Sequence, residues 1–429
     1  MSKFYFFALA LLLAACLSEK NIDPAKSSTF TRYFSDGYVN DPIAIEETPD
    51  KGFIILINSN LKNSDADLER ERILLIKTDQ FGNEVWTKYF PDETISISTR
   101  WKGNSIALLP SGGYLITGEE IQVGGSYRTM LLLKVMDNGD TEDSKVYSSP
   151  YFPYSLTARA AVVAPATSGL GDNFMVVAYS PDLAVLDNIL VTEINSTSLD
   201  TVWTRTYKGG SAALTNKIFY HPGATPFIYW GGDWEESATN IASFVTKSKL
   251  DAAGTENGQT VEIGTPDARD FGLDFCEKGE GFGFVGYKEK GAQLGDIFFC
   301  PVSSDGIPGT PIIYTKEIFA NPGAIADGFN VKEEKGNAIT ATKDGGFMIL
   351  GTIDTYTNLL GRGNTDLLLL KIDGFGGKEW STTFGSPDVD TGISIKQTSD
   401  GGYVVLGATR LAALRTVLMI KTDKNGKID

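Results

Sequence analysis

The sequence is poor in the side chains on which much enzyme chemistry depends. It has one histidine, His221, and three cysteines among its 429 residues. A histidine-based catalytic triad would have to use His221 alone, and a metal site with several histidine ligands cannot form. Because His221 directly precedes a Pro-Gly turn, we interpret it as a structural or solvent-exposed residue.

Basic residues are also in deficit. The chain has 38 Lys and Arg against 54 Asp and Glu, a formal net charge of −16 at pH 7. Nucleic acids and anionic lipid surfaces attract basic patches, so this acidity argues against both as partners. The apolar run at residues 4–15 is too short to cross a bilayer as a helix.

This apolar run has the features of a bacterial export signal. A basic residue precedes it, and the LAAC sequence at residues 13–16 resembles a lipobox. We therefore expect residues 1–15 to be a lipoprotein signal peptide, acylated at Cys16; an ordinary secretory signal is the alternative. Residues 16–28 would be the lipidated cysteine and a flexible tether. Leu17, where many bacteria place an inner-membrane retention Asp, favours the outer membrane, on its periplasmic side or at the cell surface.

A repeated unit fills the rest of the chain. In each unit an aromatic residue is followed four positions later by a small or aliphatic residue, and successive units lie 53 to 65 residues apart. The pairs are Phe53/Ile57, Tyr114/Gly118, Phe174/Ala178, Phe227/Gly231, Phe282/Gly286, Phe347/Gly351 and Tyr403/Gly407. Self-similarity at this period predicts an all-β, seven-bladed β-propeller over residues 29–429.

Each repeat predicts a four-stranded antiparallel blade, whose strands we label A to D. Four runs rich in β-branched and aromatic residues are separated by Gly, Asp and Asn turns. Asp-Gly-Gly marks the A–B turn at residues 344–346 and 400–402, and Asp-x-x-Gly marks the C–D turn at residues 79–82 and 373–376. The last repeat lacks a strand D, and residues 30–34 copy residues 86–90. We expect this N-terminal strand to complete blade 7 and close the ring.

The two remaining cysteines fall in repeat five. Cys276 is expected in strand A and Cys300 in strand C, with strand B between them. Strands two places apart in a sheet are about 9–10 Å apart, whereas a disulfide needs Cα atoms within about 7 Å. We therefore predict two free, mostly buried thiols.

Binding residues are expected on the face that carries the long B–C and D–A connections, which we call the variable face. Aromatic residues there are candidates for a platform that binds a glycan or a protein partner. They are Tyr151, Phe152, Tyr154 and Trp234. The alternative is that these rings cap the cores between blades.

Carboxylates are plentiful, but none stands out by position. Asp388 and Asp390 can line the channel mouth or form a turn, and we favour the turn. The acidic residues between 137 and 143 do not match the spacing of an EF-hand, so a solvated turn is preferred over a Ca²⁺ site. We therefore assign no catalytic residue, no metal ligand and no cofactor.

The DGGY/F and KxDxxGxxxW motifs, the latter complete at residues 77–86 and 371–380, resemble those of outer-membrane repeat lipoproteins of Bacteroidota. They also resemble the tryptophan-docking motif of quinoprotein-like propellers such as PQQ dehydrogenases, which usually have eight blades. No residue is suited to hold PQQ. The resemblance implies blade-structural roles for the residues at the docking position, which are Trp86, Trp203, Trp380 and, in the closing strand, Phe30.

Two functions fit this pattern. The first is a non-catalytic, lipid-anchored binding or scaffold propeller, held at the outer membrane through Cys16 and docking an outer-membrane protein, a secreted protein or a glycan on its variable face. The alternative is a glycan-active hydrolase with a carboxylate pair at the central channel. The absence of convergent catalytic residues favours the first.

Overall fold

The protein is described from a computed structural model. The structure describes residues 27–61, 70–92, 99–122, 128–147, 155–165, 171–180, 189–207, 214–222, 226–237, 240–251, 254–255, 259–263, 270–279, 281–290, 293–315, 334–354, 365–411 and 414–428. Every secondary-structure element in these ranges is a β-strand, which confirms the all-β prediction. No helix able to span a membrane occurs among them.

The strands follow one another blade by blade. The N-terminal strand and blades 1 to 3 comprise β1 (Phe30–Phe34), β2 (Val39–Glu47), β3 (Phe53–Leu61), β4 (Arg70–Thr78), β5 (Glu84–Phe90), β6 (Thr99–Leu108), β7 (Tyr114–Gln122), β8 (Arg128–Val135), β9 (Thr141–Tyr147), β10 (Thr157–Pro165), β11 (Asp172–Tyr179), β12 (Ile189–Asn195) and β13 (Thr201–Tyr207). Blades 4 to 7 comprise β14 (Leu214–His221), β15 (Phe227–Ser237), β16 (Asn240–Asp251), β17 (Gly254–Thr255), β18 (Gln259–Ile263), β19 (Asp270–Lys278), β20 (Gly281–Lys290), β21 (Gln293–Val302), β22 (Ile312–Tyr314), β23 (Glu334–Ala341), β24 (Phe347–Asp354), β25 (Thr365–Ile372), β26 (Lys378–Phe384), β27 (Thr391–Gln397), β28 (Tyr403–Leu411) and β29 (Leu414–Thr422).

The blades form a closed ring. Each blade has four antiparallel strands, and in blade 4 the two-residue β17 also pairs with β16, apart from the stretch of β16 that pairs with the fourth strand, β18. The A strands β2, β6, β10, β14, β19, β23 and β27 contact one another in that order, and β27 contacts β2. They are therefore the innermost strands, around the central channel. This confirms the seven-bladed β-propeller.

The ring closes through the N-terminal strand, as predicted. β1 pairs antiparallel with β29, placing Phe30 opposite Lys421 and Phe34 opposite Val417. Phe30 is 3% exposed and meets Phe53 of blade 1 edge-on, with ring centroids 6.5 Å apart. The closing strand therefore completes the sheet of blade 7 and also contributes to the core that joins blade 7 to blade 1.

The hydrophobic core is divided among the interfaces between blades. Among the described residues, seven clusters of buried side chains each draw on two neighbouring blades. Strand B is nearly all apolar because both of its faces are covered, as in Met348, Ile349 and Leu350, which are all 0% exposed. A propeller of this length is stable because it repeats a small core rather than enlarging one.

The two sequence motifs meet in one contact beneath the A–B turn. In blades 1, 6 and 7 the lysine at the next-to-last position of strand C is buried and forms an ion pair with the aspartate of the turn. The pairs are Lys77–Asp50 at 2.8 Å, Lys371–Asp344 at 3.1 Å and Lys421–Asp400 at 2.9 Å. The turn also needs its second glycine, because a Cβ at Gly402 would lie 2.5 Å from the Lys421 ammonium nitrogen.

The glycine of the C–D turn receives an aromatic ring from the preceding blade. Gly139 lies against Trp86, Gly426 against Trp380, and Gly82 against Phe30. All three glycines have positive φ angles. Trp203 occupies the equivalent place in blade 3, where its indole nitrogen donates to Glu193 at 2.5 Å. These contacts show where the residues with expected structural roles lie: each is at or near an interface between blades.

Both described cysteines are free and buried, which confirms that prediction. Cys276 pairs with Gly283 of β20 in the strand register, and Cys300 pairs with Phe284, so strand B separates them. Burial raises the pKa of each thiol to about 12. Neither thiol is therefore suited to act as a nucleophile at neutral pH.

Candidate active site at the channel mouth

Every A strand is interrupted by a β-bulge at the same position of the repeat. The residue skipped in the register against strand B is Ile43, Asn104, Arg159, Asn216, Leu273, Asn337 or Ile393. Bulges redirect side chains and are common beside active sites. Apart from Asn216, each of these residues is partly exposed, and the residue before each is buried. We call these seven positions the bulge ring; they lie on the channel wall near the variable face.

Arg159 is the one charged member of the bulge ring. Its Nε is buried and donates no hydrogen bond within the described part of the chain. Burial lowers the pKa of its guanidinium, and Arg128 adds to this, while Glu119 and Tyr179 oppose it. An arginine stays protonated in proteins, so Arg159 brings a full positive charge to the channel mouth.

Glu119 lies in the second half of strand B of blade 2, close enough to Arg159 to raise the pKa of its guanidinium. It is 3% exposed. Its Oε1 accepts a hydrogen bond from Arg128 at 2.8 Å, and its Oε2 accepts one from the Thr157 hydroxyl at 2.7 Å. The Arg128 side chain is 51% exposed, so the cluster reaches solvent. The result is a buried carboxylate with two arginines between blades 2 and 3.

Glu119 breaks a pattern of the repeat in the same way as Arg159. The residue after the small member of each aromatic–small pair is uncharged in all other repeats: Asn58, Tyr179, Gly232, Tyr287, Thr352 and Ala408. Asn58 and Thr352 accept hydrogen bonds from backbone N–H groups of the next blade, at 2.8 and 3.2 Å. The position thus links neighbouring blades, and in blade 2 a carboxylate fills it.

Further polar groups surround this cluster on the blade 1 side. The Trp101 indole nitrogen donates to Glu120 at 2.9 Å, and Lys102 pairs with Glu71 at 2.8 Å. Glu119 and Glu120 are neighbours in one strand, so their side chains point to opposite faces of the blade. They cannot act as a pair on one bond.

Two carboxylates lie on the A strands farther round the ring, at or beyond their bulges. Glu46 pairs with Lys396 at 2.6 Å, and Asp274 pairs with Lys217 at 2.6 Å. Asp274 also accepts a hydrogen bond from the Ile339 N–H at 2.9 Å, so it links blades 4, 5 and 6. Burial would lower the pKa of Lys396, but Glu46 and, less strongly, Asp274 raise it above its ordinary value.

The opposite face also has a cavity, of about 240 Å³, between blades 1 and 2. Its charged groups are already engaged in structural contacts. Asp50 pairs with Lys77, and Asp137 accepts a hydrogen bond from the Gly113 N–H at 2.8 Å. The cavity therefore shows no polar group directed at a ligand among those described.

Most of the predicted aromatic platform falls outside the part of the chain that the structure describes. Tyr151, Phe152 and Tyr154 lie outside the described residues. Trp234 is on β15, opposite Ala242 of β16. The role of these four residues in binding a glycan or a protein partner therefore stays a prediction. His221 ends β14 on the face opposite the variable face, where its Nδ1 lies 2.9 Å from Glu277.

The acidic residues that the sequence offered as channel-lining groups or Ca²⁺ ligands lie in turns and surface ion pairs. Asp390 is 0% exposed, and its carboxylate accepts a hydrogen bond from the Ser386 N–H at 2.5 Å. In the acidic segment, Asp140 pairs with Lys88 at 3.1 Å. No group of three or more potential metal ligands occurs in the ranges that the structure covers.

Comparison with known proteins identifies structural neighbours alone. No protein-family model and no curated protein matches the chain. A structure of the α-L-arabinofuranosidase Arb93A from Fusarium graminearum with an iminosugar inhibitor gives a TM-score of 0.46 at 10% identity, covering 93% of this chain and 98% of that chain. NanB sialidase from Streptococcus pneumoniae gives 0.44 at 10% identity, covering 92% and 71%.

These neighbours give no support to the expectation of a non-catalytic binding or scaffold propeller. Both are glycan-active hydrolases, so the comparison agrees with the alternative rather than with the scaffold. At 10% identity the likeness concerns the fold. The case for activity in this chain must come from its own residues.

Proposed function

We propose that this protein is a glycan-active hydrolase that works at the variable-face mouth of the central channel. The observation that carries the proposal is the meeting of Glu119 and Arg159. Each is the one charged residue at its position in seven repeats, and the two are close enough to influence each other electrostatically. Repeats keep what the ring requires, so two coinciding departures from the pattern point to function.

The chemistry of glycoside hydrolysis suits this cluster. The glycosidic C–O bond breaks, a water oxygen joins the anomeric carbon, and a proton passes to the leaving oxygen, with carboxylates assisting both events. Arg128 and the Thr157 hydroxyl hold the Glu119 carboxylate in one orientation, as a nucleophile or base requires.

The second carboxylate of a hydrolase would have to come from another blade. Asp274 ties together the backbones of blades 5 and 6 by accepting hydrogen bonds from the Phe275 and Ile339 N–H groups, so its role is structural. Glu46 has Lys396 as its ion-pair partner and a side chain that is 24% exposed. Glu46, however, lies next to the A–B turn, at the end of β2 away from the variable face, so it cannot act with Glu119 on one bond. We therefore assign no second carboxylate.

The proposal is tested by incubating the protein with a panel of polysaccharides and chromogenic glycosides. Hydrolysis is measured as the release of reducing ends or of the chromophore. We expect the mature protein to cleave at least one substrate and Glu119→Gln to be about 10²–10⁴-fold slower. Glu142→Gln is the matched control, because Glu142 pairs with Lys134 away from the mouth. Failure to cleave any substrate, or full activity of Glu119→Gln, would contradict the proposal.

We propose further that the protein is a lipoprotein of the Bacteroidota type, held at the outer membrane by acyl chains on Cys16, with a glycan as its partner. The lipobox-like LAAC sequence supports this. A protein partner at the membrane also stays a prediction. Incorporation of a fatty-acid label that is lost in Cys16→Ala would support the anchor, and protease digestion of intact cells would distinguish the cell surface from the periplasmic side.

A further inference from the structure

We infer that the substrate carries a carboxylate group, and that Arg159 binds it. This inference rests on the proposed function and specifies its substrate class: a glycan that contains uronic acids or other carboxylated sugars.

The first support is the lack of a structural role for Arg159 at a position where other members of the bulge ring have one. Asn104 donates a hydrogen bond to the carbonyl oxygen of Ala158 at 2.8 Å, and Asn337 donates one to that of Gly392 at 2.9 Å. Both side chains thus link their blade to the next. Arg159 makes no such bond within the described ranges, although its Nε is buried.

The second support is the local charge. Glu119 is neutralised by Arg128, its partner at 2.8 Å. Both Glu119 oxygens are engaged, one with Arg128 and the other with Thr157. Arg159 therefore leaves the three charged groups of the cluster with one excess positive charge, whereas the whole chain has a net charge of −16. General attraction cannot bring an anion to such a protein, so a specific local contact is required.

The third support is the geometry of the guanidinium. It is planar and has five N–H donors that match the two oxygens of a carboxylate. The Nε is buried, but Arg159 as a whole is partly exposed. A ligand carboxylate at the channel mouth would therefore pair with the outer N–H groups of the guanidinium and supply the missing counter-charge. A neutral sugar hydroxyl would satisfy the donor but leave the positive charge without a partner. The cluster therefore favours acidic glycans over neutral ones.

Matched polysaccharide pairs test this without requiring turnover. Polygalacturonate, alginate and hyaluronan are compared with their carboxyl-reduced, neutral counterparts by retardation in affinity gels, using the mature protein carrying Glu119→Gln to prevent cleavage. A sulfated, carboxylate-free galactan distinguishes carboxylate recognition from general anion binding. We expect retardation by at least one carboxylated glycan and none by its reduced form.

Substitutions then assign the contact. In the same background, Arg159→Gln should weaken binding at least tenfold, and Arg159→Lys should restore part of it. Lys88→Gln, which removes an exposed charge far from the mouth, should leave binding unchanged. Equal binding by Arg159→Gln, binding of the sulfated galactan alone, or binding of none of the glycans would overturn the inference. Cleavage of neutral glycans alone would contradict the carboxylate inference but support the proposed hydrolase. Arg159-dependent binding of a carboxylated glycan without any hydrolysis would support the inference but contradict the hydrolase.

Discussion

Replacing Asp400 by asparagine removes the carboxylate partner of a lysine that stays buried. Lys421 is 3% exposed, and its ammonium group donates to the Asp400 carboxylate and to the carbonyl oxygen of Thr422. Removing one partner of a buried ion pair costs roughly 3–5 kcal/mol. The Asp400 side chain is 54% exposed, so solvent reduces this cost. We expect Asp400→Asn to lose about 2 kcal/mol of unfolding free energy.

Blade 6 contains a matched control. Lys371 is equally buried, but it contacts Glu379 at 3.1 Å as well as Asp344 at 3.1 Å. When Asp344 is replaced by asparagine, Glu379 still offsets the buried charge. We therefore expect Asp344→Asn to lose about 1 kcal/mol or less. The difference between the variants measures the value of the second carboxylate.

Urea denaturation, read by tryptophan fluorescence, gives both values, and its pH dependence tests their origin. Burial raises the pKa of Asp400, but hydrogen bonds from Thr398 and Lys421 outweigh this and bring it below 3.8. The ionised form therefore stabilises the fold at neutral pH, and this contribution is lost as the pH falls through the folded pKa. The difference in unfolding free energy between wild type and Asp400→Asn should decrease only in the pH range in which Asp400 becomes protonated. An Asp344→Asn variant at least as destabilised as Asp400→Asn would refute the reasoning.

Other predictions concern the turns, the closing strand and the thiols. Gly402→Ala should cost more than 3 kcal/mol, since its Cβ would lie 2.2 Å from a carbonyl oxygen; Gly401→Ala, with a φ of +88° but open space, should cost about 1 kcal/mol. Comparing their urea midpoints checks this, and equal midpoints would contradict it. Phe30→Ala should lower the unfolding free energy by about 3–5 kcal/mol, and calorimetry should show the whole ring unfolding in one transition rather than a separate transition of one blade. A calorimetric trace that matches wild type would contradict this. Both buried thiols should resist a thiol reagent in the native protein and react without prior reduction after unfolding, whereas rapid native labelling would show that they are accessible.

Much of the fold could be predicted because each repeat places the same residue types at the same positions of a blade. The period of the aromatic–small pairs predicts the number of blades, and the copy of residues 86–90 at residues 30–34 predicts the closing strand. The sequence does not show that Lys421 and Asp400, some 20 residues apart, form one contact. That contact depends on the strand register, which a motif pattern does not express.

The candidate site was missed for a related reason. A search for repeats retains what recurs, whereas Glu119 and Arg159 matter because they do not recur. Aligning the repeats and asking where one charge replaces neutral residues would have found Glu119. Arg159 needed the structure as well, because its repeat position is defined by a bulge in the strand register. The expectation of no catalytic residues followed from inspecting motifs alone.

The closing strand also divides the ring into two arcs of different character. Blades 6, 7 and 1 carry the regular lysine–aspartate contact, and ring closure makes them neighbours although they come from opposite ends of the chain. The arc from blade 2 to blade 5 follows the motifs less closely, and the Glu119–Arg159 cluster lies there. One arc can thus secure the ring while the other is free to diverge. New specificities should arise by changes in blades 2 to 5, with the two chain ends held constant.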